Sequence, residues 1–344
     1  MAARRSLLAA PALLLPGLLL SRPGRAQGAV TDLKFSLAAP LDGSNAAFFL
    51  AEERGWFREA GLRVQFDPSG GSGEAVTRVG AGTYDVGVAD LGVVLEFNGR
   101  QPASAIKCVY MLYYRSPLCA ASFAKTGIER PADLAGKRVG AALTDGAYKL
   151  FPAYAARTGL DAGSVRWQYG DLRLREAMLL RGDAEAILGF DSTMYFGLTR
   201  NGVRPSDVRF LYFADAGMPL YGNGLIASRR LMETNPDALR RFVAAAARGW
   251  QAAIADPAAA AAALRRKDAL IEAALETERL TWLVRNQLVT EESRADGMGG
   301  VRPDRLAGMA EQVGTAFALP GPVSPDALFT PEFLPDASIR RVPV

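Results

Sequence analysis

The stretch "GAGTYDVGVADLGVV", Gly80 to Val94, decides the fold. A glycine turn leads to Asp85, then to a short apolar run, Val86 to Ala89, that ends in Asp90. A helix-like pattern, "LGVVLEF", follows at once. A short apolar run bounded by turn residues reads as a strand buried on both faces. A second stretch, "RGDAEAILGFDSTMYF", Arg181 to Phe196, repeats the plan. It has a glycine, an acid three residues on (Glu185), an apolar strand and a closing acid (Asp191). Both closing acids read as exposed. A chain that builds this unit twice is expected to have two α/β lobes of similar construction.

The segments between agree. Thr31 to Ala39 and "LRVQF", Leu62 to Phe66, read as strands flanking a helix from Ser44 to Arg54. "DPSGGSGEAV" is a glycine-rich loop running into a helix. Residues Ala105 to Phe123 read as a strand, a turn at Arg115 to Pro117 and another strand. A second α/β series then begins, with strands at Arg138 to Ala142 and in "VRWQY", and a helix opening at "TDGAYKLF". Strands return in "RFLYFADAG" and "LYGNGLIAS". From Asn235 helix formers dominate, and Pro257 suits a helix N-terminus before the alanine run. Strands alternating with helices predict mostly parallel sheets covered on both faces. In such sheets, ligands bind at the carboxyl ends of the strands.

The first residues, "MAARRSLLAAPALLLPGLLLSRPGRAQGAV", have a basic start, an apolar run and small residues near Ala26 to Ala29, the order of an export signal. Pro11, Pro16 and Gly17 interrupt the run, which falls short of the ~20 residues a membrane span needs. Residues 1–28 are therefore expected to be removed as a signal peptide, and "RRSLL" also resembles a twin-arginine signal. Four of the 40 basic residues, Arg4, Arg5, Arg22 and Arg25, lie there, which leaves 36 against 36 acids. The basic balance belongs to the signal, so no nucleic-acid partner is expected. The chain has no histidine, which removes His-based acid–base catalysis and the commonest metal ligand. No cofactor or metal is expected. An exported chain permits a disulfide between its two cysteines, Cys108 and Cys119, and two buried thiols are the alternative.

Four phrases in this order, "AEERGWFREAGLRVQF", "GAGTYDVGVAD", "GIERPADLAGKRVG" and "NPDALRRFVAAAARGWQAAIADP", resemble the substrate-binding proteins of ABC importers. The resemblance runs from about Thr31 to about Thr330 and is closest to the NMT1/THI5-like group, whose members bind sulfonates, taurine, nitrate and the thiamine pyrimidine. It implies an α/β type II periplasmic-binding-protein fold: two lobes joined by two crossover strands, with the ligand in the cleft between them. Lobe 1 is expected from 29–114 and 215–344, with the C-terminal helices and tail, and lobe 2 from 115–214. The implied protein is a periplasmic monomer that delivers a small molecule to an inner-membrane ABC permease. A periplasmic sensor module or an enzyme on the same fold are the alternatives. The fungal pyrimidine-forming members use a histidine and a cysteine-rich motif, and this chain has neither. The resemblance therefore implies binding and not catalysis.

Ligand contacts are expected where strands end. Asp42, Ser44 and Asn45 precede the first helix, and Gly70, Gly71 and Ser72 offer backbone N–H groups at a helix start. Asp90, then Thr144 and Asp145 with Tyr148 one turn on, repeat that placement in the two lobes. Asp191, Ser192 and Tyr195 end the matching strand, and Tyr113, Tyr221 and Asn223 lie at the crossovers. Helix capping is the competing role for each of the polar residues. Four aspartates with aromatics and few bases suit an amine, an amidine-like heterocycle or a hydroxylated aromatic, with a thiamine-type pyrimidine as the first expectation. A sulfonate, taurine or nitrate is the alternative. Asp85 and Glu185, at the strand starts, are expected to face away from the cleft.

Overall fold

The computed structural model describes residues 30–37, 41–143, 145–171 and 174–343. The proposed signal segment and Thr144 lie outside the described residues. Among the described residues, ten strands fall into two five-stranded sheets. They are β1 (Thr31–Ser36), β2 (Leu62–Asp67), β3 (Val86–Asp90), β4 (Lys107–Met111), β5 (Leu118–Phe123), β6 (Arg138–Ala141), β7 (Arg166–Tyr169), β8 (Ala186–Phe190), β9 (Val208–Tyr212) and β10 (Asn223–Ala227). One sheet has the order β2-β1-β3-β10-β4 and the other β7-β6-β8-β5-β9.

Each sheet is mixed. β1 runs parallel to β2 and β3, whereas β10 is antiparallel to β3 and β4. β6 runs parallel to β7 and β8, whereas β5 is antiparallel to β8 and β9. The chain therefore crosses twice, between β4 and β5 and again between β9 and β10. The strands around Arg115 do not pair with each other; each joins a different sheet.

β3, with the sequence VGVAD, is buried along its whole length, as expected of a strand with helices on both faces. The first helix begins as a tight 3-10 turn at Gly43–Asn45 before the α-helix Ala46–Glu53. A Cβ at Gly43 would sit 2.5 Å from the Glu276 carbonyl oxygen, so only glycine lets the C-terminal helix Ala273–Leu283 approach.

The repeated acids at the strand starts do one job twice. Asp85 Oδ2 accepts from the Lys34 backbone N–H at 2.9 Å, and Glu185 Oε2 accepts from the Arg138 N–H at 3.1 Å. In the same places the Asp85 and Glu185 backbone N–H groups donate to the Lys34 and Arg138 carbonyls. Each acid thus ties the start of its strand to the neighbouring parallel strand, at the end of the sheet away from the cleft. Arg230 flanks Asp85 at 2.6 Å, and Lys137 flanks Glu185 at 3.4 Å.

Candidate functional site

The carboxyl ends of the two sheets face each other, and the strand-end residues converge there. Each closing aspartate first does local work. Asp90 Oδ1 caps the helix Leu91–Arg100 by accepting from Gly92 N–H, and Asp145 Oδ1 caps the helix Gly146–Thr158 by accepting from Ala147 N–H, both at 2.9 Å. Asp42 Oδ1 accepts from the Ser44 backbone N–H at 2.9 Å and from its hydroxyl at 2.5 Å, with Asn45 buried beside it. Capping and site placement coexist because a strand's carboxyl end is also the next helix's amino end.

Both closing acids of the repeat prove to be buried, although the sequence reads them as exposed: Asp90 is 5% exposed and Asp191 0%. Asp191 is covered by Trp282 and Gln287 from the C-terminal helical segment, whereas Asp90 sits among Ser72, Gly92 and the cross-strand Asn223. Their surroundings differ sharply. Asp191 is saturated. Its Oδ2 accepts from Tyr212 Oη at 2.9 Å, from Trp282 Nε1 at 2.9 Å and from Gln287 Nε2 at 2.7 Å, while Oδ1 accepts from Ser192 N–H at 2.6 Å. Burial raises its pKa, and the donors from Trp282, Tyr212, Ser192 and Gln287 oppose that rise. Tyr195, one turn on, stacks on Trp282 with centroids 4.3 Å apart, and Arg279 lies 4.6 Å above the Phe196 ring. Asp191 therefore ties β8 and the helix Asp191–Arg200 to the C-terminal helix that packs on the other lobe.

Asp90 is not saturated. Its Oδ2 is buried and has no hydrogen-bond partner among the described residues. Burial pushes its pKa up to about 7, opposed by the Gly92 and Val93 backbone N–H groups and reinforced by the charge of Asp145 across the cleft. Asn223 pairs with Asp90 across β10 and β3. Its Oδ1 is also buried without a partner among the described residues, and its carboxamide meets the Tyr113 phenol. Tyr113 is 3% exposed and feels both Asp42 and Asp191.

Asp145 has its own counter-ion. Arg175 Nη1 lies 3.2 Å from Asp145 Oδ2 and also donates to the Leu188 carbonyl at 3.2 Å. Arg175 is only 7% exposed. It reaches across β8 because Gly189, at φ +154°, has no side chain; a Cβ there would sit 2.1 Å from Arg175 Nη1. Gly189→Ala should therefore displace the guanidinium and cost about 1–3 kcal/mol, from backbone strain and overpacking together. Urea denaturation of the variant checks this; wild-type stability would show that Arg175 does not need the glycine.

The remaining expected residues divide. In the glycine loop, Gly70 N–H donates to Glu74 Oε2 at 2.6 Å and Gly71 N–H to Ser69 Oγ at 3.2 Å, while Ser72 Oγ accepts from Asp90 N–H at 3.0 Å. These loop amides are spent within the loop, and Ser72 braces Asp90. Tyr148 is half-buried; its hydroxyl lies 3.0 Å from that of Tyr169 and its ring meets Trp167 edge-on. Tyr221 turns away, into a network in which its hydroxyl donates to Glu292 and accepts from Arg302 N–H, with Arg305 over its ring.

Arg175, Arg279, Trp282 and Gln287 escaped the sequence reading. Arg175 opens an apolar helix pattern that gives it no distinguishing mark, and the other three join the site from a distant C-terminal helix. At the rim, Lys149 Nζ contacts both Glu96 carboxylate oxygens at 2.7 Å, bridging the helices that Asp145 and Asp90 cap. Cys108 and Cys119 are buried free thiols on strands of different sheets, and burial pushes the Cys108 thiol up to about 12.

Comparison with known proteins places this geometry. The riboflavin-binding protein RibY of Chloroflexus aurantiacus is 26% identical over 216 residues, which cover 62% of this chain and 59% of the relative. A 4-amino-5-hydroxymethyl-2-methylpyrimidine phosphate synthase of Aspergillus parasiticus is 26% identical over 229 residues, 63% of this chain and 65% of that one. The chain thus spans about six-tenths of the length of these curated relatives. Among solved structures, the periplasmic aliphatic sulphonate binding protein SsuA of Escherichia coli superimposes with a TM-score of 0.68 at 15% identity, over 86% of this chain and 91% of that one. The NMT1/THI5 like family profile matches residues 43–260. The chain belongs to the NMT1/THI5-like family and carries the type II periplasmic-binding-protein fold.

Proposed function

We propose that the protein is an exported, periplasmic solute-binding protein that captures a small organic molecule between its lobes and hands it to an ABC permease. One observation carries this reading. The facing sheet edges enclose buried acceptor oxygens, Asp90 Oδ2 and Asn223 Oδ1, that no described residue satisfies. Leaving a buried polar atom unpaired costs about 1–3 kcal/mol, a cost that a bound solute removes. The two chain crossings supply a hinge of the kind used in domain closure. Family membership supports the periplasmic setting and the permease partner, and the similarity to the riboflavin-binding protein RibY supports a binding role.

For the ligand, the thiamine-type pyrimidine rested on a surplus of acids in the cleft. That surplus shrinks here: Asp145 has Arg175, Asp191 has its four donors, and Arg279 Nε lies 3.9 Å from Asp42. Buried Arg175, with its Nε unpaired among the described residues, favours the second reading, a sulfonate or taurine-like solute. Small-angle scattering with and without solute tests the binding role. A thermal-shift panel of sulfonates, taurine, the aminopyrimidine and riboflavin identifies the candidate, and the radius of gyration should shrink at saturation. A solute that raises the melting temperature but leaves the scattering profile unchanged would count against capture by closure.

A further inference from the structure

Asp90 and Asn223 stand opposite each other on β3 and β10, and the Leu91 N–H donates to the Gly222 carbonyl at 3.0 Å. This bond places the pair in the non-hydrogen-bonded register, where facing Cβ atoms are closest, about 4.5–5.5 Å apart. Both side chains are more than nine-tenths buried, at 5% and 7% exposure. The protein uses one half of each. Asp90 Oδ1 caps its helix, and the Asn223 carboxamide meets Tyr113. The other half of each, Oδ2 and Oδ1, has no donor among the described residues. The two residues are cross-strand neighbours, and each keeps one buried oxygen without a donor among the described residues.

We infer that Asp90 Oδ2 and Asn223 Oδ1 act together as a paired acceptor for an N–H-bearing group of the solute, so that the cleft selects amino- or amidino-bearing molecules over solutes whose polar groups only accept. This rests on the solute-binding reading and adds to it the chemistry of one end of the solute. An ammonium or amidinium group supplies two donors from one nitrogen centre or one fork, matching two acceptors side by side. A sulfonate or nitrate oxygen would instead meet two lone-pair-bearing oxygens, one of them a carboxylate, and like charges so placed repel. The elevated pKa of Asp90 fits a carboxyl that lacks its cation and becomes fully ionised when one arrives. Among sulfonates the prediction favours an aminosulfonate, and among pyrimidines an aminopyrimidine.

The test is isothermal titration calorimetry of the full chain with two matched pairs of probes. One pair is taurine and ethanesulfonate; the other is 4-amino-5-hydroxymethyl-2-methylpyrimidine and its 4-methoxy counterpart. The expected result is that one N–H-bearing probe binds at least tenfold more tightly than its partner. Asp90→Asn keeps a capping oxygen for Gly92 but replaces the open acceptor by a donor. It should weaken the N–H-bearing probe roughly tenfold to a hundredfold, the loss of a hydrogen bond to a charged group, and so narrow the gap within the pair. If both members of a pair bind equally, or if Asp90→Asn leaves the gap intact, the paired acceptor is wrong while the solute-binding reading stands. If none of the four probes binds the wild-type chain, the solute reading behind both pairs fails and the inference falls with it.

Discussion

Replacing Asp191 by alanine should lower the melting temperature of the solute-free protein by roughly 5–15 °C, for a loss of about 3–5 kcal/mol. The carboxylate accepts four hydrogen bonds with no solvent exposure. Its removal leaves the buried Gln287 Nε2 and the partly buried Trp282 Nε1 and Tyr212 hydroxyl without their acceptor and opens a polar cavity. The contacts it makes are also those that join lobe 2 to the C-terminal helix, so the variant should populate more open forms. Differential scanning calorimetry measures the first effect and small-angle scattering the second. Asp191→Asn should cost less, because the tyrosine hydroxyl and the glutamine amide can each reorient to accept from the new N–H₂. A wild-type melting temperature in the alanine variant would mean that this cluster forms only when solute is bound, and would return Asp191 to the role of a ligand contact.

Asp90 should respond in the opposite direction. Its folded pKa of about 7 lies above the unfolded value of 3.8. Between these values the folded protein holds a proton that the unfolded chain has released, so raising the pH favours unfolding. The stabilisation is complete below about pH 4 and is lost as pH rises through 7. Asp90→Asn cannot ionise and still offers Gly92 a capping oxygen. In the solute-free state the variant should therefore match wild type at pH 5 and exceed it at pH 8 by about 1–3 kcal/mol, the ionisation cost less that of one unpaired N–H. Thermal melts of both proteins across pH 5–8 decide it, and parallel pH profiles would show that Asp90 is not held in its neutral form. A variant that is more stable yet binds less well is the signature of a group kept for its ligand and not for the fold.

Much of the architecture was legible along the chain. The repeat at Gly80 to Val94 and Arg181 to Phe196 announced two α/β lobes, because a buried strand, a glycine turn and a helix cap are all short-range features. The same periodicity put Asp85 and Glu185 at the strand starts, away from the closing acids, but their bonds to the neighbouring strands came only with the folded chain. The capping by Asp90 and Asp145 was legible too, since a cap and its first helical N–H groups are neighbours in sequence. The antiparallel insertion of β10 and β5 was not legible, because pairing between distant strands leaves no local trace in composition. The division of labour among the aspartates was not legible either. Asp90 and Asp191 occupy the same place in the repeat, yet only the folded chain brings Trp282 and Gln287 to one of them and leaves the other with an open oxygen. Local sequence determined where strands end and helices begin, because those preferences act over a few residues. Tertiary structure decided which strand-end acid has its oxygens filled and which keeps one without a donor, because that depends on donors supplied from about a hundred residues away by the C-terminal helical segment.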